Sequence, residues 1–130
     1  MTNKSYLLDT VAAVALLNGD PGMDKILDEE SDLFLSVVTL GELYFGAEKS
    51  VRVEENRRKV DVIAQRYEVH YLDNATARLY GQITRSLRAK GRPIPQNDVW
   101  IAAVAVQHKL TLLTRDEHFK EVDNLPLASW

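Results

Sequence analysis

The stretch Tyr6-Leu7-Leu8-Asp9-Thr10-Val11-Ala12-Ala13-Val14-Ala15-Leu16-Leu17 decides the fold. Its first three residues are a short apolar run, which an acid and a hydroxyl interrupt. Val11, Val14, Ala15 and Leu17 then recur at helical spacing up to the turn signal Asn18-Gly19-Asp20-Pro21-Gly22. The segment reads as a strand followed by a helix. A charge inside a dozen apolar residues is costly for a signal peptide, and the run is too short to span a bilayer. It is therefore expected to be core, with the protein in the cytoplasm and no membrane partner.

The same alternation continues outward. Met23 to Glu30 allows a second helix with Ile26 and Leu27 inward, and Leu33-Phe34-Leu35-Ser36-Val37-Val38 reads as a buried strand, with Thr39 starting the next helix. Val51 to Tyr67 is charged, and Val60, Ile63 and Ala64 mark the narrow apolar stripe of an exposed helix. Val69 to Leu72 is strand-like. Asp73-Asn74 caps a helix carrying Leu79, Ile83 and Leu87, which ends at Lys90-Gly91 before the Pro93-Ile94-Pro95 break. The helix beginning near Asn97 is apolar on all sides from Val99 to Val106, the mark of a buried central helix. Leu110 to Leu113 reads as a buried strand, Arg115 to Glu121 as at most a short helix, and Leu127-Ala128-Ser129 as an edge strand. This order predicts an α/β sandwich around a mainly parallel sheet with right-handed crossovers. Ligands of such sheets bind outside the carboxyl ends of the strands.

With 130 residues, 45% of them hydrophobic, and no repeat or linker, one domain over residues 1–130 is expected. The 16 Lys and Arg against 19 Asp and Glu leave a net charge of -3, so a polyanion has to be met by a local basic patch or a bound metal. The absence of cysteine excludes disulfides, zinc ribbons and thiol catalysis. His70, His108 and His118 stand apart in sequence without metal-pair spacing, so no histidine-built zinc site is expected, and none of the three is assigned a functional role.

Most of the acids belong to solvated surface, as in the cluster Asp24, Asp28, Glu29, Glu30 and Asp32. An ionised carboxylate abutting a buried apolar segment is different, because it is expensive unless a positive group offsets it. Five acids meet that condition: Asp9, Glu42, Asp73, Asp98 and Asp116. Asp9 and Asp116 follow strands, while Glu42 and Asp98 sit in the first turns of helices that start at the same sheet edge. Four carboxylates converging there require a cation, and an all-oxygen ligand set suits Mg²⁺ or Mn²⁺. Each has a plainer reading as well. Thr39-Leu40-Gly41-Glu42 fits a capping box, Asp98 complements a helix dipole, and Asp116 fits an N-cap. Asp73 is most simply an N-cap and is left out of the site, and Asp9 has no structural use beyond an Asx-turn.

At these residues the sequence resembles the PIN domain, and more narrowly the VapC-type ribonuclease toxins of bacterial toxin–antitoxin pairs. The matching segments are Tyr6-Leu7-Leu8-Asp9-Thr10, Ser36-Val37-Val38-Thr39-Leu40-Gly41-Glu42-Leu43, Pro95-Gln96-Asn97-Asp98-Val99-Trp100-Ile101-Ala102-Ala103 and Leu113-Thr114-Arg115-Asp116-Glu117-His118-Phe119. The resemblance spans essentially the whole chain and implies a PIN-like three-layer α/β/α sandwich. It implies catalytic acids at Asp9, Glu42, Asp98 and Asp116, with Asp9, Asp98 and Asp116 as the metal ligands and Thr114 and Asn97 in support. The sequence departs from the family after Asp-Thr, where many relatives carry Asn or Ser and this chain has Val11.

The reaction so implied is Mg²⁺-dependent hydrolysis of an RNA phosphodiester, with Mn²⁺ as a substitute. Arg85, Arg88, Lys90 and Arg92 lie close together without an intervening acid and lead into the loop before Asp98, so they are expected on RNA phosphates. A second basic set, Arg52, Arg57, Arg58, Lys59 and Arg66, is diluted by Glu54, Glu55 and Asp61 and reads as solvated surface. The resemblance further implies a cognate VapB-type antitoxin and a homodimer. The alternatives are a DNA or structure-specific nuclease of the same fold, and a catalytically inactive PIN-like binding module. A receiver domain lacks its paired acids here, and a dehalogenase-type phosphatase would need Asp where Val11 stands.

Overall fold

In a computed structural model, which describes residues 4–130, five short parallel strands form one sheet in the order β3-β2-β1-β4-β5. The strands are β1 (Ser5–Leu8), β2 (Asp32–Ser36), β3 (Glu68–His70), β4 (Thr111–Leu113) and β5 (Leu127–Ala128). The helices are α1 (Thr10–Leu17), α2 (Met23–Ile26), α3 (Val37–Glu48), α4 (Val53–Arg66), α5 (Asn74–Ala89) and α6 (Gln96–Gln107), and a 3₁₀ turn covers Glu117–Glu121.

Side chains alternate across a strand, and this alternation builds two cores. Leu7 and Leu112 face α5 and α6, where Ile83, Leu87, Ile101, Val104 and Phe119 close one layer. Tyr6, Leu8, Leu35 and Leu113 face the other side, against Ala12 and Ala13 of α1, Leu43 of α3, and Val60 and Ile63 of α4. The result is the expected three-layer α/β/α sandwich with a parallel sheet. Strands buried on both faces are read as continuous apolar runs for this reason.

Several boundaries differ from the sequence reading. Val37 and Val38 belong to α3, not to β2, because the Ser36 hydroxyl accepts the Thr39 backbone N–H at 3.1 Å and caps the helix there. The helix expected from Met23 to Glu30 stops at Ile26, with Leu27 extended. The third strand starts at Glu68 and stops at His70, leaving Tyr71 and Leu72 exposed. His70 and His108, far apart in sequence, stack with ring centroids 3.8 Å apart, and Phe34 stacks on His70. Stacked faces do not aim two nitrogens at one ion, so the contact makes no zinc site.

Chain order reverses beside β1: the chain runs to β2 and β3 on one side and then returns to β4 and β5 on the other. The crevice at the carboxyl ends of β1 and β4 is therefore the switch point of the sheet. No helix among the described residues is long and apolar enough to cross a membrane.

Candidate active site

Asp9 leaves β1 directly into the switch point and is 5% exposed. It caps α1, accepting the Ala12 backbone N–H at 2.7 Å. Its other oxygen accepts the Thr114 hydroxyl, whose Oγ1 in turn accepts the Asp116 backbone N–H at 2.9 Å. Thr114 thus ties the end of β1 to the end of β4. Burial pushes the Asp9 carboxyl above its ordinary value; the Thr114 and Ala12 hydrogen bonds pull it back, and Asp116 and Glu42 add repulsion.

Asp98 stands in the first turn of α6, as expected, and is pushed up to about 6. Burial is the main cause, followed by the charges of Asp116, Glu42 and Asp9, while His118 opposes the shift. Asp116 caps the 3₁₀ turn, so its plainer reading holds, yet it also faces Asp98 across the crevice.

Glu42 lies in the second turn of α3, since that helix starts two residues earlier than the sequence suggests. Thr39 is buried inside the helix and opens no capping box with Glu42. Freed from cap duty, the Glu42 carboxylate accepts the Thr10 hydroxyl at 2.8 Å and the Asn97 side-chain amide at 3.1 Å. Asn97 therefore supports Glu42 from α6, and Thr10 does so from α1. Asp73 is the N-cap of α5 as expected, paired with Thr76, and it also accepts from Gln107.

His118 is the residue that sequence reasoning passed over. Asp116 Oδ1 accepts the His118 backbone N–H at 2.9 Å and lies 3.1 Å from His118 Nδ1. One ligand atom each from Asp98, Asp116 and His118 fall within 4.8 Å of one another. The only signal in the sequence is the Asp-x-His spacing of a turn in which an Asp side chain folds the chain back on itself.

The four basic residues are divided. Lys90 pairs with Asp123 at 2.7 Å and donates to the Glu121 carbonyl at 2.8 Å. Arg85, Arg88 and Arg92 are exposed, and none forms an ion pair among the described residues. Arg92, Pro93, Ile94, Glu117 and His118 line a groove of about 400 Å³ that opens beside the acids.

Comparison with known proteins places this arrangement. The PIN domain family matches residues 6–125. Ribonuclease VapC2 of Rickettsia felis is 32% identical over 130 residues, covering 96% of this chain and 97% of its own. The chain belongs to the VapC-type PIN domains. The tRNA(fMet)-specific endonuclease VapC of Shigella flexneri is 30% identical over 128 residues, 96% of this chain and 97% of its own. The crystal structure of VapBC2 from Rickettsia felis bound to a promoter DNA fragment contains a chain that superposes with a TM-score of 0.87 at 30% identity, covering 97% of this chain and 98% of that one.

In this VapC-type PIN domain Val11 is 58% exposed, and its neighbour Thr10 is the residue that carries a hydroxyl to Glu42. The donor set fits a divalent ion. Carboxylate oxygens predominate, two of the carboxyls are raised by burial and mutual repulsion, and no lysine or arginine forms a salt bridge to any of the four among the described residues.

Proposed function

We propose that this chain is a metal-dependent endoribonuclease toxin that hydrolyses RNA phosphodiester bonds and is neutralised by a cognate VapB-type antitoxin. The observation that carries the reading is the gathering of Asp9, Glu42, Asp98 and Asp116 at the switch point, with Asp98 pushed up to about 6 by burial and by the other three. A cation held among them would relieve the repulsion and the burial penalty that ionising such a set entails.

Asp9, Asp98 and Asp116 would hold Mg²⁺, with Mn²⁺ as a substitute. When bound, the ion lowers the pKa of its water and offsets charge on the phosphate. Thr114 fixes Asp9 relative to Asp116. Glu42, oriented by Thr10 and Asn97, shares the ion or steers the attacking water. Arg85, Arg88 and Arg92 hold RNA phosphates, and Lys90 joins them only by releasing Asp123.

The antitoxin reading is supported by the VapBC complexes among the similar structures and by a groove of about 350 Å³ between α1, α3 and α4. Val14, Leu43 and Val60 give the groove apolar walls, and it reaches Glu42. An amphipathic helix lying there could extend a basic side chain to the acids. We further assign the chain one domain, a cytoplasmic location and a homodimeric state.

The test is cleavage of end-labelled cellular RNAs and matched single-stranded DNA by antitoxin-free protein, with Mg²⁺, with Mn²⁺ and with EDTA. RNA cutting that needs metal and disappears in folded Asp9→Asn and Asp98→Asn is the expected result. Equal cutting of DNA would favour the DNA-nuclease alternative, because only contacts to the 2′-OH separate the two substrates. No cutting, or cutting unchanged in both variants, would overturn the proposal.

A further inference from the structure

Among the described residues, His118 stands at the acidic crevice beside Asp98 and Asp116, and the reaction above leaves it unused. We propose that His118 supplies an imidazole nitrogen to the bound divalent ion and tilts the site toward Mn²⁺ over Mg²⁺; this rests on the metal-nuclease reading of the same acids.

The turn Asp116-Glu117-His118 carries the argument. Because Asp116 Oδ1 accepts the His118 backbone N–H, the imidazole is folded back over the carboxylate that faces Asp98. Its Nδ1 is 3.1 Å from Asp116 Oδ1, and the ligand atoms of Asp98, Asp116 and His118 are mutually within 4.8 Å. Bonds of roughly 2.1 Å to an octahedral ion put neighbouring ligand atoms about 3 Å apart and opposite ones about 4.2 Å apart. The trio therefore needs only a small contraction to share one ion. The His118 side chain is 58% exposed, so it can turn a nitrogen inward without unpacking the core. Buried Phe119, next in the chain, anchors the turn to the α5 and α6 layer.

The donor types decide the selectivity. Mg²⁺ seeks oxygen and keeps its waters, so an imidazole adds little to its binding. A first-row transition ion gains from the nitrogen, and carboxylates are the companions that suit Mn²⁺ within that row. The other two histidines stack on each other, so their rings are engaged away from this carboxylate pair.

Pulsed electron paramagnetic resonance of Mn²⁺ on the antitoxin-free protein reads the ligand directly. Nitrogen modulation of a coordinated imidazole is expected in wild type and absent in His118→Ala. Calorimetric titration should show that His118→Ala loses about tenfold or more in Mn²⁺ affinity, the scale of removing a ligand or its support, while Mg²⁺ affinity changes less than about twofold. Mn²⁺ bound without nitrogen modulation, or an unchanged ratio of the two affinities in the variant, would overturn the proposal and leave the nuclease reading standing. No divalent binding at all would remove both. The wild-type spectrum decides the ligand by itself, so a variant that failed to fold would not blur the outcome.

Discussion

Asp98 shows how one side chain joins the proposed site to stability. In the unfolded chain its carboxyl titrates near the ordinary 3.8, and in the folded protein at about 6. Between these values the folded chain keeps a proton that the unfolded chain has released, so metal-free protein loses stability as pH rises from about 4 to about 6. The whole shift corresponds to about 3 kcal/mol, which falls to about 1–2 kcal/mol once the partial solvent access of a half-buried group is allowed for. In EDTA, Asp98→Asn should therefore melt above wild type at pH 7 and together with it near pH 4. Melting curves that differ equally at both pH values would contradict this origin. Thr114 makes the complementary case. Thr114→Val keeps the shape but strips the Asp9 carboxylate and the Asp116 N–H of a partner, at an expected cost of about 1–3 kcal/mol in urea unfolding, whereas Thr114→Ser should recover most of it.

At the scale of elements, the caps set where the functional side chains stand. α5 ends with Gly91 at φ 68°, the Gly91 N–H on the Arg88 carbonyl and the Arg92 N–H on the Leu87 carbonyl. This reversal sends the chain into the Pro93 loop and places Arg92 at the groove beside His118. α6 ends with the same pair of bonds around Lys109, at φ 55°. Left-handed backbone costs a residue with a Cβ about 1 kcal/mol. Gly91→Ala should therefore lower stability by about 1 kcal/mol, a loss of backbone origin because an added Cβ meets open space there, and denaturation curves can check it.

The ends of elements are also where the sequence was least legible. Alternating strands and helices could be read because burial imposes local periods, as in the all-apolar run from Val99 to Val106. The step from β2 to α3 could not, because Val37 and Val38 have strand-like side chains and only the Ser36 hydroxyl shows that the helix has begun. Asp9, Asp98 and Asp116 stood out as acids against apolar segments. Asn97 was expected in support through the family resemblance, but its pairing with Glu42 was not, since the two lie 55 residues apart and the contact exists only once α3 and α6 are packed. His118 was passed over for a similar reason: its meaning comes from Asp98 across the crevice, not from its neighbours in the chain.

For the molecule as a whole, a net charge of -3 has to be reconciled with a polyanionic substrate. The fold does this by separation. The acids are drawn into the switch point, while Arg85, Arg88 and Arg92 occupy the surface of α5 and the loop that leads to Asp98. Lys90, adjacent in sequence, is held by Asp123 and the Glu121 carbonyl, so it braces α5 against the segment after the 3₁₀ turn. RNA binding measured against salt distinguishes the two kinds of residue, because each phosphate contact to a single strand contributes about 0.7 to the slope of log K against log salt. Using Asp98→Asn protein to prevent cleavage, Arg88→Ala and Arg92→Ala should each lower that slope by about 0.7 and weaken binding to unrelated RNAs alike. Lys90→Ala should leave the slope nearly unchanged, its cost appearing as lost stability instead. A slope that drops for Lys90→Ala and not for the arginines would show that the basic surface works the other way round, with the Asp123 pair opening to meet the substrate.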